Sequence, residues 1–163
     1  MAEYTDTMKY FTLAWWEANQ DLKNPRSGEI SRPIEDYKNY YASIKSNLPS
    51  RLVEFYDSHS FHDAVLLNLN LNIQRQELWI ELLVTVFADK RRDEKPIRVQ
   101  YLEMTSFASS AGLSNYCVAG PGGYGDLGYT EIEVLNADSF EHRMLFSSGI
   151  EITIQFKGFD FHS

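Results

Sequence analysis

The sequence predicts an α+β fold in which N-terminal helices pack on one face of a roughly six-stranded, mainly antiparallel meander sheet. Up to about Tyr56, apolar residues recur every three or four positions, which is the spacing of one helical face. After Phe61 they alternate with polar residues, as in strands that expose one side. Short turns join these strands, so neighbours along the chain should pair, and the helices should cover the apolar side of the sheet.

The first helix is predicted to start after Thr12, whose side chain is suited to cap it, and to carry Trp15 and Trp16. Residues 23–32 are predicted to form a loop. A second helix should begin near Pro33, since proline suits the first helical turn. Its apolar stripe consists of Ile34, Tyr37, Tyr41, Ile44 and Leu48.

Pro49 should end the second helix and open a short third helix over residues 50–56. This helix is predicted to bury three side chains, Leu52, Val53 and Tyr56.

Six strands are predicted from the alternation, over residues 65–73, 78–86, 97–101, 130–135, 140–146 and 150–156. In the first strand the predicted apolar face is Val65, Leu67, Leu69, Leu71 and Ile73, and the opposite face is the asparagine ladder Asn68, Asn70 and Asn72. A charged turn is expected over residues 89–95, and a long glycine-rich loop over residues 107–128.

The length of 163 residues suits one globular domain, 1–163, in which residues 1–7 are predicted to be a disordered extension. The apolar share of 44% and the charged share of 23% are typical of a globular protein. Cys117 is the single cysteine, so no intrachain disulfide can form. The chain shows no targeting segment and no apolar stretch of membrane-spanning length, which together predict a cytoplasmic protein.

The formal net charge of −8 disfavours nucleic acid and anionic membranes as partners, because an acidic surface repels phosphate groups. The same charge would attract a basic partner protein, although a charge of this size also serves solubility.

The polar residues that attract attention are His62 and Asp63, at the start of the first strand, together with Glu141 and His142. Histidine and carboxylate side chains are zinc ligands, but the spacing of these residues gives a metal site little support. In the structural interpretation Asp63 accepts backbone hydrogen bonds or holds an imidazole, and His62 caps the edge of the sheet. The sequence predicts no metal and no cofactor.

Several short motifs carry a family resemblance. They are Met8–Thr12 followed by Trp15 and Trp16, then Phe61–Ala64, Phe140–His142 and Gly149–Ile154. Together they resemble a family of small uncharacterised bacterial proteins, and the H-D-A motif is similar to that of immunity proteins found beside polymorphic and contact-dependent toxins. The resemblance implies a non-enzymatic protein that binds a toxin domain in the cytosol and blocks its active site.

If that resemblance holds, an acidic protein suits a basic toxin, because complementary charge speeds encounter. The candidate contact residues are Tyr40, Tyr124, Asp126, Glu131, Glu133 and the glycine-rich loop. The alternative is a small-ligand-binding protein or an enzyme with a pocket near His62, Asp63 and His142, where a histidine beside a carboxylate would act as a base. The two classes differ in whether these three side chains converge in one pocket.

Overall fold

A computed structural model describes residues 7–20, 27–88, 91–110 and 124–163 of the chain. The helices among these residues are α1 (Leu13–Gln20), α2 (Ser27–Ile44) and α3 (Ser50–Ser58), with a 3₁₀ turn at Lys45–Asn47. The strands are β1 (Ala64–Asn72), β2 (Glu77–Ala88), β3 (Arg91–Leu102), β4 (Ser106–Ser109), β5 (Asp126–Asn136), β6 (Ser139–Phe146), β7 (Glu151–Phe156) and β8 (Gly158–His162). Within these ranges no helix is both long enough and apolar enough to cross a membrane.

The α+β class is confirmed, but the sheet has eight antiparallel strands rather than six, in the order β4-β7-β6-β5-β1-β2-β3-β8. The two strands that were not predicted are β4 and β8. β4 lies largely in the segment predicted to be the glycine-rich loop, and three residues separate it from the end of β3. A single residue separates β7 from β8, so both additional strands extend a predicted strand beyond a bend.

These extensions bring the two ends of the sheet together. β3 pairs with β8 through residues 98–102, and β4 pairs with β7 through residues 106–109. The bent segment formed by β3 and β4 therefore runs beside the bent segment formed by β7 and β8. Between the two ladders Thr105 donates its N–H to the Gln155 carbonyl, at 2.8 Å, and Lys157 donates to the Leu102 carbonyl, at 3.2 Å. The sheet therefore curls around its own inner face instead of forming a simple meander.

The inner face of the sheet holds the main hydrophobic core. Its fully buried side chains include Leu78, Ile80, Leu82, Ile97, Tyr101, Met144, Phe146 and Phe156. Leu52 and Phe55 of α3 pack into the same core. The other helices do not all share this face: Trp16 of α1, with Met8 and Phe11, packs on Leu145, which alternates with Met144 and so lies on the outer face of β6.

The predicted apolar face of β1 is wrong at both ends. At the far end Ile73 lies beyond β1 and is 77% exposed. At the start the strand contains a β-bulge between Leu66 and Asn68. A bulge adds one residue and shifts the alternation that follows it. Leu66 therefore points into the core and is 7% exposed, whereas Leu67 is 48% exposed. The predicted face of β2 is confirmed at Leu78, Ile80, Leu82 and Val84, all of which are buried.

Two predicted boundaries also differ. α2 starts at Ser27, so residues 27–32 are helical, Pro33 lies inside the helix, and residues 23–26 fall outside the described residues. β3 starts at Arg91, so residues 91–95 of the predicted charged turn pair with β2. Residues 89–90 of that turn lie outside the described residues. The cap at Thr12 is confirmed, since the Trp15 N–H lies 3.1 Å from its hydroxyl oxygen.

Candidate functional site

His142 lies on the inner face of β6 and is 0% exposed. Its Nε2 atom is 2.8 Å from the Tyr56 hydroxyl oxygen, and its Nδ1 atom is 2.6 Å from the Tyr101 hydroxyl oxygen. The Tyr56 hydroxyl is also 2.9 Å from the hydroxyl of Thr130. A neutral imidazole has one donor and one acceptor nitrogen, so these hydrogen bonds give a partner to both ring nitrogens of His142 and to both phenol groups.

Burial determines the protonation states of these hydrogen-bonded side chains. It lowers the pKa of His142 to about 3, because the charged imidazolium would be desolvated, and His142 is therefore neutral at physiological pH. Burial likewise raises the pKa values of Tyr56 and Tyr101 well above the usual value for tyrosine. The arrangement links β3, β6 and α3 through uncharged groups inside the core.

His62 and Asp63 lie in the loop between α3 and β1, and both side chains are 57% exposed. His62 Nδ1 is 2.7 Å from the Gly128 carbonyl oxygen. The Asp63 backbone donates to the Leu127 carbonyl at 2.9 Å. Asp63 has a φ of 64°, a left-handed conformation that is uncommon for residues other than glycine. His62 therefore contacts β5 just beyond the point where the pairing between β1 and β5 ends.

The structure does not bring His62 and Asp63 into contact with His142 through any hydrogen bond or ion pair among the described residues. The ring of Phe61 lies next to His142, with the two ring centroids 6.0 Å apart. His62 faces outward and His142 faces the core, so the candidate polar cluster is divided between two environments.

Glu141 lies on the outer face of β6, opposite to His142, and takes part in a buried charge cluster there. Arg143, with its side chain 7% exposed, forms ion pairs with Glu131, Glu133 and Glu141. Gln155 donates its side-chain N–H to Glu141 at 2.7 Å. One guanidinium is therefore shared by three carboxylates.

Glu131 is 1% exposed and holds the N-terminal segment on the outer face of the sheet. Its carboxylate accepts the backbone N–H groups of Lys9, Tyr10 and Phe11, at 2.9, 2.7 and 2.7 Å. Glu133 binds the Lys9 ammonium group as well as Arg143. Burial acts to raise the pKa of Glu133, but the hydrogen bonds from Lys9 and Arg143 outweigh it and lower that pKa. Both carboxylates thus have intramolecular partners.

The remaining candidate contact residues occupy different surroundings. Tyr40 is partly buried, and its ring stacks on that of Tyr10 with centroids 5.7 Å apart. Tyr124 is partly buried against Phe146. Asp126 is exposed at the start of β5. Residues 111–123 of the glycine-rich loop, and Cys117 among them, lie outside the described residues.

Two adjoining depressions meet at His62, Gly128 and Tyr129, and we call them together the composite groove. The larger depression, of about 460 Å³, is mainly apolar and aromatic and is also lined by Phe11, Ile34, Tyr37, Tyr56, His59, Ser60, Phe61 and Thr130. The smaller one, of about 310 Å³, is acidic and is also lined by Trp16, Gln20, Asp63, Asp126 and Ser147. Sequence reasoning found His62, Asp63 and Asp126 but missed Tyr129.

In the part of the chain that the structure describes, no group of three or more histidine, cysteine, aspartate or glutamate side chains is placed to hold a metal ion.

The chain was compared with known proteins. No protein-family model matches it. No curated protein matches it significantly. Among solved structures, it is similar to a chain described as "Crystal structure of an uncharacterized protein from Neisseria gonorrhoeae", at 13% identity and a TM-score of 0.45. The match covers 64% of this chain and 95% of the other.

Proposed function

We propose that the chain is a non-enzymatic protein-binding module, an immunity protein that binds a basic toxin domain through the composite groove. The observation that carries the proposal is the pairing of exposed Asp63 and Asp126 with an aromatic depression beside them. Such a groove suits a lysine or arginine of the partner at the acidic end and an apolar or aromatic side chain at the other. Aromatic contacts of this kind supply much of the energy of protein interfaces.

The state of the histidines favours binding over catalysis. His142 is inaccessible and neutral, so it is not available as a base to a substrate at the surface. His62 uses one ring nitrogen on the Gly128 carbonyl and lies at the rim shared by both depressions.

The backbone of Asp63 supports the proposal further. A left-handed non-glycine residue costs free energy, and such strain is concentrated at binding and catalytic sites. The net charge of −8 adds long-range attraction for a basic partner, which accelerates association at low salt.

The proposal predicts that Asp63→Asn with Asp126→Asn weakens binding to the toxin domain encoded beside this gene by at least about tenfold, or about 1.4 kcal/mol. Asparagine also adopts left-handed backbone conformations, so the fold should be retained and the change isolates the charge. Calorimetric titration measures the affinity, and survival of cells that express the toxin measures neutralisation.

The matched control is Asp138→Asn, because the Asp138 side chain is 69% exposed and lies in the turn between β5 and β6, at the other end of β5 from Asp126. This variant should bind and protect like the wild type. The proposal is overturned if the double variant protects cells fully, or if the wild type does not bind the toxin domain.

A small-ligand-binding function is the second candidate, and the larger depression favours it. Its volume of about 460 Å³ lies within the range of small-molecule sites. In that case a small molecule should remain bound in native mass spectrometry of the purified protein and be lost in Tyr129→Ala, whereas the affinity for a toxin domain should be absent.

A further inference from the structure

The asparagine ladder of β1 belongs to a second surface that the composite groove does not include. On the outer face of the sheet Asn68 lies opposite Glu81, which lies opposite Arg98, and Asn70 lies opposite Trp79. Two adjoining depressions of about 300 and 270 Å³ share Trp79, Glu81 and Arg98. We call this surface the Trp79 face; the first depression is completed by Asn68 and Asn70, and the second by Pro96, His162 and Ser163.

The indole of Trp79 is partly exposed and lies beside two flat polar groups. The Arg98 guanidinium carbon is 5.5 Å from its ring centroid, within the range of a cation–π contact. The His162 ring lies 6.0 Å away at an interplanar angle of 26°. These neighbours hold the indole in place where it forms part of the wall of both depressions.

The charge of the Trp79 face argues for a neutral ligand. Arg98 forms an ion pair with Glu81 at 3.5 Å, so the two charges at the centre compensate each other. The carboxamides of Asn68 and Asn70 offer both donors and acceptors. A ligand that fits this set presents many hydroxyl groups together with a flat apolar patch for the indole.

Two macromolecular classes fit less well. A polynucleotide would be repelled by a chain of net charge −8 that offers it one compensated arginine here. The buried centre of a protein interface is apolar and depleted of charged residues, whereas the centre of this face is an ion pair flanked by carboxamides.

We propose that the Trp79 face binds a neutral saccharide, with one sugar ring stacked on Trp79 and its hydroxyl groups bound by Asn68, Asn70 and the Glu81–Arg98 pair. A depression of about 300 Å³ is at the lower end of the range for small-ligand sites, which suits a short oligosaccharide. The site shares no lining residue with the composite groove, so it stands or falls independently of the toxin-binding proposal.

The test is a nuclear magnetic resonance titration of the full chain with short neutral oligosaccharides of glucose, galactose, mannose and N-acetylglucosamine, at up to about 10 mM, a level that detects even millimolar affinity. The expected result is a saturable shift of the Trp79 indole N–H and of the amides of Asn68 and Asn70. For the saccharide that binds, Trp79→Ala should weaken binding at least tenfold, whereas Trp79→Tyr keeps a stacking ring and should retain most of it.

Asn70→Ala should weaken binding too, and Asn39→Ala, an exposed asparagine on α2, should leave it unchanged. The Trp79→Tyr and Asn70→Ala variants keep the experiment informative if Trp79→Ala fails to fold. The proposal is overturned if no saccharide shifts these resonances, or if the shifts occur around Tyr129 instead.

Discussion

Replacing Arg143 with methionine is expected to lower the free energy of unfolding by about 3–5 kcal/mol at neutral pH. The guanidinium is shared by Glu131, Glu133 and Glu141, and its side chain is 7% exposed. Methionine fills a similar volume but leaves these carboxylates without their common cation in a place that water hardly reaches. Urea denaturation followed by circular dichroism measures the loss.

The pH dependence of this loss identifies its cause. In the wild type the lowered pKa of Glu133 means that its contribution is present above the ordinary glutamate pKa and is lost as the pH falls below it. In Arg143→Met the crowded carboxylates should instead have raised pKa values, so the folded state binds more protons than the unfolded state, and stability rises as the pH falls. The deficit should therefore shrink between pH 7 and pH 4.

Lys157→Met is the control for the Arg143 variant, since Lys157 forms an ion pair with Asp138 in which the side chains are 40% and 69% exposed. Exposed pairs contribute little, so we expect a loss of less than about 1 kcal/mol. A deficit in Arg143→Met that stays constant with pH would show that lost packing, rather than uncompensated charge, explains it.

The strands that carry a long alternating pattern were predictable, and those that depend on bends were not. β4 is four residues long with one partly buried side chain, Phe107, so it has too few alternations to be detected. β8 does alternate at Phe159 and Phe161, but its pattern follows that of β7 with one residue between them. The bulge in β1 lies within the run Val65–Leu67, in which every residue is apolar, so the sequence does not indicate which of them turns inward.

The same alternation also predicts, for some polar residues, which face of the sheet they lie on. His142 shares its parity with Phe140 and Met144, which predicts the inner face, whereas Glu141 shares its parity with Arg143. Glu141 and His142 therefore belong to opposite faces of one strand. The composite groove could not be derived in this way, because α1, the loop before β1 and the start of β5 converge there only after folding.

We expect the stability of the wild type to fall more steeply below pH 6.5 than that of His142→Gln. The pKa of His142 is lowered from 6.5 to about 3 by burial. Between these two pH values the unfolded chain binds a proton that the folded chain does not, so stability rises with pH over this window. The contribution of His142 is therefore complete above pH 6.5 and is lost as the pH falls towards 3, at about 1.4 kcal/mol per pH unit.

The measurement is the free energy of unfolding in urea at several values between pH 7 and pH 4. Carboxylates and exposed histidines titrate in both proteins, so the difference between the two curves isolates His142. At pH 7 the His142→Gln variant should be less stable by about 1–3 kcal/mol, because one of the two buried tyrosine hydroxyls loses its hydrogen-bond partner. Parallel curves would contradict the buried neutral state of His142.

The Tyr101→Phe variant separates the effect of burial on the pKa of His142 from the effect of hydrogen bonding. It removes the hydroxyl that lies 2.6 Å from Nδ1 and should destabilise the protein at every pH, since one ring nitrogen becomes unpartnered. It should nevertheless keep the steep dependence below pH 6.5, because desolvation rather than the phenol lowers the pKa of His142. If Tyr101→Phe instead abolished the slope, water would reach the imidazole in that variant, and the tyrosine would be what excludes water from the centre of the sheet.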